Sequence, residues 1–302
     1  MLAAHSDEIG CVVKAIEPDG MVRFERLGGV VESLLSGRAV RCRGHQGVIG
    51  CRPGHLTPPA DRLAVPPMRE LYIDFGFDTA AEVLALGISV GDAVAYDAPM
   101  RRLANGSRLS GKALDNRIGC AIITQLAARL AGQALRSTLH LVVTVQEEVG
   151  LRGAQMVAHR LNPTAAIIVD TMPAGGTPDT SSTKDLAAQM GKGPVLTLVS
   201  QGGAAGMIVH PGLRNFLADV SASNRIRVQR SLFYGGNSDA AAVHLVRNGI
   251  PTAAVNIARR YSHSPVETLD IGDAIGALDL LDAAGRAFSS DVDLSFLRSQ
   301  RG

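Results

Sequence analysis

VQEEVGLRG, residues 145–153, sets two adjacent carboxylates, Glu147 and Glu148, just beyond an apolar run, LHLVVTV at 139–145, and the chain then breaks at Gly150 and Gly153. Carboxylates that follow a buried strand lie at the carboxyl edge of a sheet, where open α/β sheets bind ligands. Two of them side by side repel unless a cation or a proton intervenes. The pair therefore suggests a division of labour, with one carboxylate holding a metal and its neighbour handling a proton.

Working outward, the residues after Asp115 alternate between helical and apolar extended segments. Helices are expected at 117–132, 152–161, 212–224, 238–249 and 270–288, and strands at 139–145, 164–170, 194–199 and 251–257. Near-continuous apolar strands alternating with helices argue for a mostly parallel sheet sandwiched by helices, an α/β fold. Residues 10–65 differ: short β segments (CVVKAI, MVRFERLG, RAVRCRG, GVIGC) are punctuated by Gly, Pro and Asp. They predict a small β-barrel or sandwich. LYIDFG (71–76) and DAVAYD (92–97) read as further strands, with a helix at 79–87 capped by Thr79 and stopped at Gly87. PMRRLANGSRLSGK (99–112) reads as a linker. The expected organisation is a catalytic domain from residues 1–9 and 99–302, interrupted by a β module over 10–98.

Composition narrows the function. The 302 residues carry a formal net charge of +2, which offers no electrostatic case for nucleic acid or an anionic membrane. No apolar stretch approaches the ~20 residues of a membrane span. The start, MLAAHSDEIG, lacks a basic region followed by an apolar core, so a cytoplasmic protein is expected. Cys11, Cys42, Cys51 and Cys120 form no Cys-x-x-Cys pair and read as free thiols, in preference to a zinc site on Cys42, His45 and Cys51.

Five positions share one property: His5, Asp115, Glu148, Asp170 and His263 all stand where a strand ends or a loop begins. Each alone has an ordinary reading. His5 could be a satisfied core histidine, Asp115 an N-cap for helix 117–132, and Asp170 the start of a turn before Pro173. Glu147 and Glu148 could be a solvated helix start, and His263 a surface partner of Glu267. Together, two imidazoles and three carboxylates form a mixed nitrogen and oxygen donor set suited to zinc or cobalt. In a dinuclear site one carboxylate bridges two cations ~3.5–4 Å apart. Glu147 is left over as general base. Asp239 lines the site or caps the next helix; His210 and His244 read as structural; Arg259 and Arg260 bind a substrate carboxylate or, in preference, make a surface salt bridge.

The segments AHSDEIG, GKALDNRIGCA, VTVQEEVGLRGA, IIVDTMPAG, GKGPV, YGGNSDAAAVHL and RRYSHSPVE occur in this order. In this set, from residue 2 to about 285, the chain resembles the glutamyl or deblocking aminopeptidases. These are the tetrahedral (TET) dinuclear metallopeptidases, some labelled cellulase or endoglucanase M. The resemblance implies a zinc-aminopeptidase α/β sandwich with an inserted β-barrel dimerisation domain, two divalent metal ions per chain and short peptide substrates. It also implies a homo-oligomer built from dimers, up to a dodecamer. It assigns His5 and Asp170 to one metal, Glu148 and His263 to the other, Asp115 as bridge and Glu147 as proton shuttle. The alternatives are hydrolysis of other amides by the same centre, or an impaired, truncated homologue serving as a binding or assembly subunit. Two departures stand out. Asn116 replaces a second Asp. The resemblance also implies roughly 50–60 residues before the strand carrying the first ligand, more cover than this domain has here. A misassigned start or truncated product is expected, with one sheet face exposed and strand 1–5 too short to hold His5 firmly.

Overall fold

The computed structural model describes residues 1–61 and 63–295. The chain opens with β1 (Leu2–His5), all four residues buried. It then leaves the main sheet for a closed barrel. Its strands are β2 (Gly10–Ile16), β3 (Val22–Leu27), β4 (Ala39–Cys42), β5 (His45–Ile49), β6 (Ile73–Asp74) and β7 (Ala93–Tyr96). They close in the order β2-β3-β6-β5-β4-β7. Its own core includes Val13, Phe24, Val40, Ile49 and Ile73. Between β6 and β7 lies α1 (Ala80–Ala85), where the Thr79 hydroxyl accepts from the Glu82 amide and Gly87 takes a left-handed φ of 78°. The strand expected over 71–76 pairs only at Ile73 and Asp74. The Asp74 carboxylate accepts from the Gly76 amide at 2.6 Å and turns the chain away, while Leu71 and Phe75 stay in the barrel core.

The segment expected as a linker is a hairpin, β8 (Arg101–Arg102) and β9 (Arg108–Gly111). It turns at Asn105–Gly106, where Asn105 Oδ1 accepts from the Arg108 amide at 3.1 Å. Next come α2 (Leu114–Leu130), β10 (Leu141–Thr144), α3 (Arg152–Leu161) and β11 (Ala166–Pro173). They are followed by β12 (Val195–Gly202), β13 (Ala205–Ile208), α4 (Pro211–Ser223), β14 (Gln229–Tyr234) and α5 (Ala240–Val243). β15 (Thr252–Arg260), β16 (Glu267–Asp270) and α6 (Ile271–Ala287) complete the fold. The helix expected over 238–249 is shorter. Arg247 adopts a left-handed φ of 55° and its guanidinium donates to the His159 carbonyl at the end of α3.

The main sheet runs β10-β1-β11-β15-β16-β9-β8, with β12, β13 and β14 branching from β15. Its first four strands are parallel, and antiparallel strands extend it. β1 is short, but it pairs along its whole length with β10 and at Leu2 and Ala3 with β11. Those two flanking strands, rather than its own length, hold His5. α6 packs against both α2 and α4, and α3 packs against α5. Parallel alignment sends the carboxyl ends of β1, β10, β11 and β15 to one edge. Among the described residues, no helix is long and apolar enough to cross a membrane.

Candidate metal centre

The six carboxylates and imidazoles of the proposed centre arrive at that edge from five places in the chain, Glu147 and Glu148 sharing one. His5 ends β1 and is 2% exposed. Asp170 lies within β11, which runs on to Pro173. Glu147 and Glu148 follow β10 in a turn whose carbonyls at Val145, Gln146 and Glu147 accept from the amides of Gly153, Arg152 and Leu151. A Cβ on Gly153 would come within 2.4 Å of the Val145 oxygen, so the turn that presents the glutamates needs glycine there. Asp115 sits at the start of α2 with non-helical dihedrals, and its side chain does not cap that helix. Its amide instead donates to Glu267 Oε2 at 2.9 Å. Asn116 is wholly buried. It donates to the Val169 carbonyl at 2.8 Å and accepts from the Gly119 amide at 3.1 Å, so an amide suffices for its positioning role.

The side chains converge. His5 Nε2 lies 3.3 Å from Asp115 Oδ1, 3.6 Å from Asp170 Oδ1 and 3.9 Å from Glu147 Oε2. His263 Nε2 lies 3.7 Å from Asp115 Oδ2 and 3.6 Å from Glu148 Oε2. Donor atoms of His5, Glu147 and Asp170 all fall within 4.8 Å of one another, as do those of His5, Asp115 and Glu148. Asp115 therefore faces both imidazoles, one from each carboxylate oxygen.

Two further features suit a divalent cation. Both imidazoles turn Nδ1 to a backbone carbonyl, Asp7 at 3.1 Å for His5 and Gly29 at 3.0 Å for His263. Protonated Nδ1 donating to that carbonyl leaves Nε2 as a lone-pair donor aimed at the carboxylates, the arrangement of metal-ligating histidines. Asp115 Oδ1 and Glu148 Oε1 are buried, and among the described residues neither has a hydrogen-bond donor. A buried carboxylate oxygen without a donor is costly unless a cation satisfies it.

The electrostatics agree. Burial opposes ionisation of Asp115, but Arg259 and the two imidazoles outweigh it and hold its carboxyl well below the ordinary range. Burial, reinforced by the charge of Asp170, pushes Glu147 up to about 10. Burial and the charge of Asp115 push Glu148 up to about 8. Burial also raises Asp170. The neighbouring carboxylates of Asp115 and Asp170 raise His5 despite its burial, and His263 is raised by Asp115. A field that favours extra protons also favours a dication, for which protons compete.

Asp7 and Gly29 were not singled out in the sequence, and Arg259 and Glu267 were given other roles there. Asp7, two residues beyond His5, accepts from the Glu147 amide at 3.2 Å and the Glu148 amide at 3.1 Å, one per carboxylate oxygen. It fixes both glutamates at once; its place in AHSDEIG was the available signal. We expect Asp7→Ala to weaken metal binding by about 10–100-fold, as loss of such support does, with the fold kept; circular dichroism and metal titration check it. Gly29, from the barrel, supplies the carbonyl that orients His263, and a Cβ there would come within 2.3 Å of His263 Nδ1. Gly29→Ala should displace the ring and weaken binding at the His263 half by about 10–100-fold; unchanged affinity would remove the barrel from the site. Glu267 is buried rather than a surface partner, and accepts from the His263 backbone amide at 3.0 Å, not from the ring. Arg259 is 3% exposed, and it ion-pairs with Asp115 and Glu267 instead of making a surface salt bridge. Asp239, buried, makes no capping bond; it accepts from the Thr144 hydroxyl at 2.8 Å, and burial pushes it up to about 6. His210 caps α4, its Nδ1 accepting from the Gly212 amide.

Backbone strain collects here too. Ala113, Gln146 and His263 hold left-handed φ values of 55°, 63° and 58°, beside or at the residues that present Asp115, Glu147 and the second imidazole. Such conformations cost on the order of 1–3 kcal/mol each and persist where the surrounding structure enforces them.

An α/β sheet gathering imidazoles and carboxylates at its carboxyl edge, with an inserted barrel, defines a metal-dependent hydrolase. The M42 glutamyl aminopeptidase family model matches residues 1–280, and the chain belongs to that family. It is 34% identical over 294 residues to the glutamyl aminopeptidase of Lactococcus lactis subsp. cremoris, covering 94% of this chain and 79% of that one. A TET aminopeptidase from a marine-sediment archaeon of the Thaumarchaeota superposes with a TM-score of 0.90 at 32% identity, covering 96% of this chain and 81% of its own. The TET1 peptidase of Pyrococcus horikoshii, described as assembling into a tetrahedron or a large octahedral shell, superposes with a TM-score of 0.83 at 30% identity, covering 95% and 83%. The chain is a metal-dependent aminopeptidase, a hydrolase of peptide bonds.

Proposed function

We propose that the chain removes N-terminal residues from short peptides with two divalent cations, zinc or cobalt. His5, Asp170 and Asp115 Oδ1 would hold one, and Glu148, His263 and Asp115 Oδ2 the other. The observation that carries this reading is Asp115, whose two carboxylate oxygens each face a different imidazole. The cations supply Lewis acidity toward water and the peptide carbonyl. Glu147 accepts a proton from the attacking water and returns it to the leaving amine. Its carboxyl is pushed up to about 10 by burial and Asp170; a neighbouring dication draws that value down toward the range useful for exchange near neutral pH. The acidic cluster also attracts the substrate's ammonium group, which restricts cleavage to the first peptide bond.

Residues 1–9 and 99–302 form the catalytic domain in this reading, and 10–98 a dimerisation module, with 62 and 296–302 outside the described residues. A homo-oligomer built from dimers, up to a dodecamer, is supported by the dodecamer described for one solved relative and the tetrahedron described for the Pyrococcus horikoshii one. A cytoplasmic setting suits free thiols and a near-neutral charge. The test pairs elemental analysis with a peptide panel. About two cations per chain and turnover only of peptides with a free N-terminus support the reading. Equal hydrolysis of N-blocked amides would favour a broader amidohydrolase.

A further inference from the structure

The chain passes between the main sheet and the barrel twice, outward through residues 6–9 and back after β7. The returning segment forms β8 and β9 and then reaches Lys112, whose amide donates to the Ala98 carbonyl at 3.3 Å. One ion pair joins the two crossings: Lys112 Nζ donates to Glu8 Oε1 at 2.6 Å, with side chains 31% and 17% exposed. Glu8 stands three residues beyond His5, and Lys112 three residues before Asp115. Asp7, beside Glu8, accepts from the amides of Glu147 and Glu148. The barrel meets the centre at two residues. A Cβ on Gly28 would lie 3.1 Å from the Glu148 carbonyl oxygen, and the Gly29 carbonyl lies 3.0 Å from His263 Nδ1. Among the described residues, the strands of the barrel pack chiefly on one another. Where little surface joins two modules, relative motion is the default, so the crossings themselves must set the orientation.

We infer that the Glu8–Lys112 ion pair is a clamp that sets the barrel against the catalytic domain and so keeps the Gly29 carbonyl on the His263 ring, which makes Lys112 a positioning residue for the reaction. The inference rests on the dinuclear reading above. A charge-assisted bond is about twice as strong as a neutral one, and a partly buried pair is screened less than an exposed one. It ties the outgoing and returning segments at a single point, close in sequence to His5 and Asp115. Glu267 fixes the backbone of His263, but the direction of its ring depends on a carbonyl that the barrel supplies. Loosening the crossings therefore lets that carbonyl drift while the sheet and the barrel each stay intact. A displacement of about 1 Å in a positioning group can cost on the order of 100-fold in rate. Lys112 acts without touching substrate or cation.

The test compares Lys112→Met, Glu8→Ala and the double substitution in the full chain. Hydrogen exchange read by mass spectrometry is measured on the metal-free protein, and turnover of an aminoacyl anilide on the metal-loaded one. Each single change should speed exchange in segments 27–31 and 261–267 by about 10-fold, as loss of a charge-assisted bond does, while β3 and β11 keep the protection of the parent. Each should also lower kcat by about 10-fold, the lower end of the effect of losing an outer support, with the urea midpoint unchanged. The double variant should lose no more than either single one, because both groups act through one contact. Lys112→Arg keeps the charge and should retain the exchange pattern and turnover of the parent. Additive losses in the double variant, parent-like exchange at both segments in the single ones, or faster exchange spread evenly over both domains each overturn the clamp. Faster exchange confined to the two segments, with turnover intact, supports the clamp and overturns His263 as a metal ligand. If Lys112→Met does not fold, Glu8→Ala, which must loosen both segments, and Lys112→Arg, which must not, still decide.

Discussion

Glu147→Gln is expected to lower kcat by at least ~100-fold, the usual range for loss of a general base, with metal content unchanged. The change is nearly isosteric and removes one ionisable group. Glu147 is 8% exposed and its backbone amide, not its side chain, is what Asp7 holds, so the turn after β10 survives. His5 Nε2 lies closer to Asp115 and Asp170 than to Glu147, at 3.3 and 3.6 Å against 3.9 Å, so the side chains proposed to hold the cation stay in place. The measurement is steady-state turnover of an N-terminal aminoacyl anilide alongside elemental analysis of the same sample. A loss in kcat at constant KM and constant metal separates proton transfer from binding. Retained turnover would remove Glu147 from the chemistry, and loss of metal would recast it as a ligand.

The parts of the centre that could be read in advance are those where chemistry and punctuation coincide. Glu147, Glu148 and Asp170 follow apolar runs, and a charged residue at the end of a buried strand is visible without coordinates. His5 and His263 were legible from the same placement at a strand end or loop start, and the family resemblance added only which half of the centre each would serve. The supporting residues escaped for a different reason. Arg259 and Glu267 are charged, and charged residues are almost never fully buried unless paired. Their burial depends on β15 and β16 pairing antiparallel at Arg259–Leu269, a long-range register invisible to local pattern. Gly29 lies in the barrel, far in sequence from His263, and only the tertiary packing of the inserted module brings its carbonyl to the ring. Hairpin 101–111 was hidden by its polarity: it extends the sheet at an edge, where neither face demands an apolar alternation.

Glu267→Ala should be the most damaging single change to stability, lowering the free energy of unfolding of the metal-free chain by about 3–5 kcal/mol, the range for breaking a buried ion pair from one side. Glu267 is 2% exposed, and its two oxygens together accept from Arg259, the Asp115 amide and the His263 amide. Truncation strands two buried amides and leaves the guanidinium with Asp115 alone. Glu267→Gln keeps an acceptor oxygen and should cost about 1–2 kcal/mol less than the truncation, in line with the worth of a retained charge-assisted bond. Urea unfolding of the metal-free protein reads the difference, because bound cation would stabilise the native state by mass action and mask it. An alanine variant within about 0.5 kcal/mol of the parent, the range of an ordinary surface change, would mean that the Arg259–Glu267–Asp115 network is not what holds the second imidazole. The same experiment bears on function: Glu267 fixes the backbone at His263, whose φ of 58° needs enforcement. The alanine variant should therefore also lose affinity at the His263 half of the centre before it loses the His5 half.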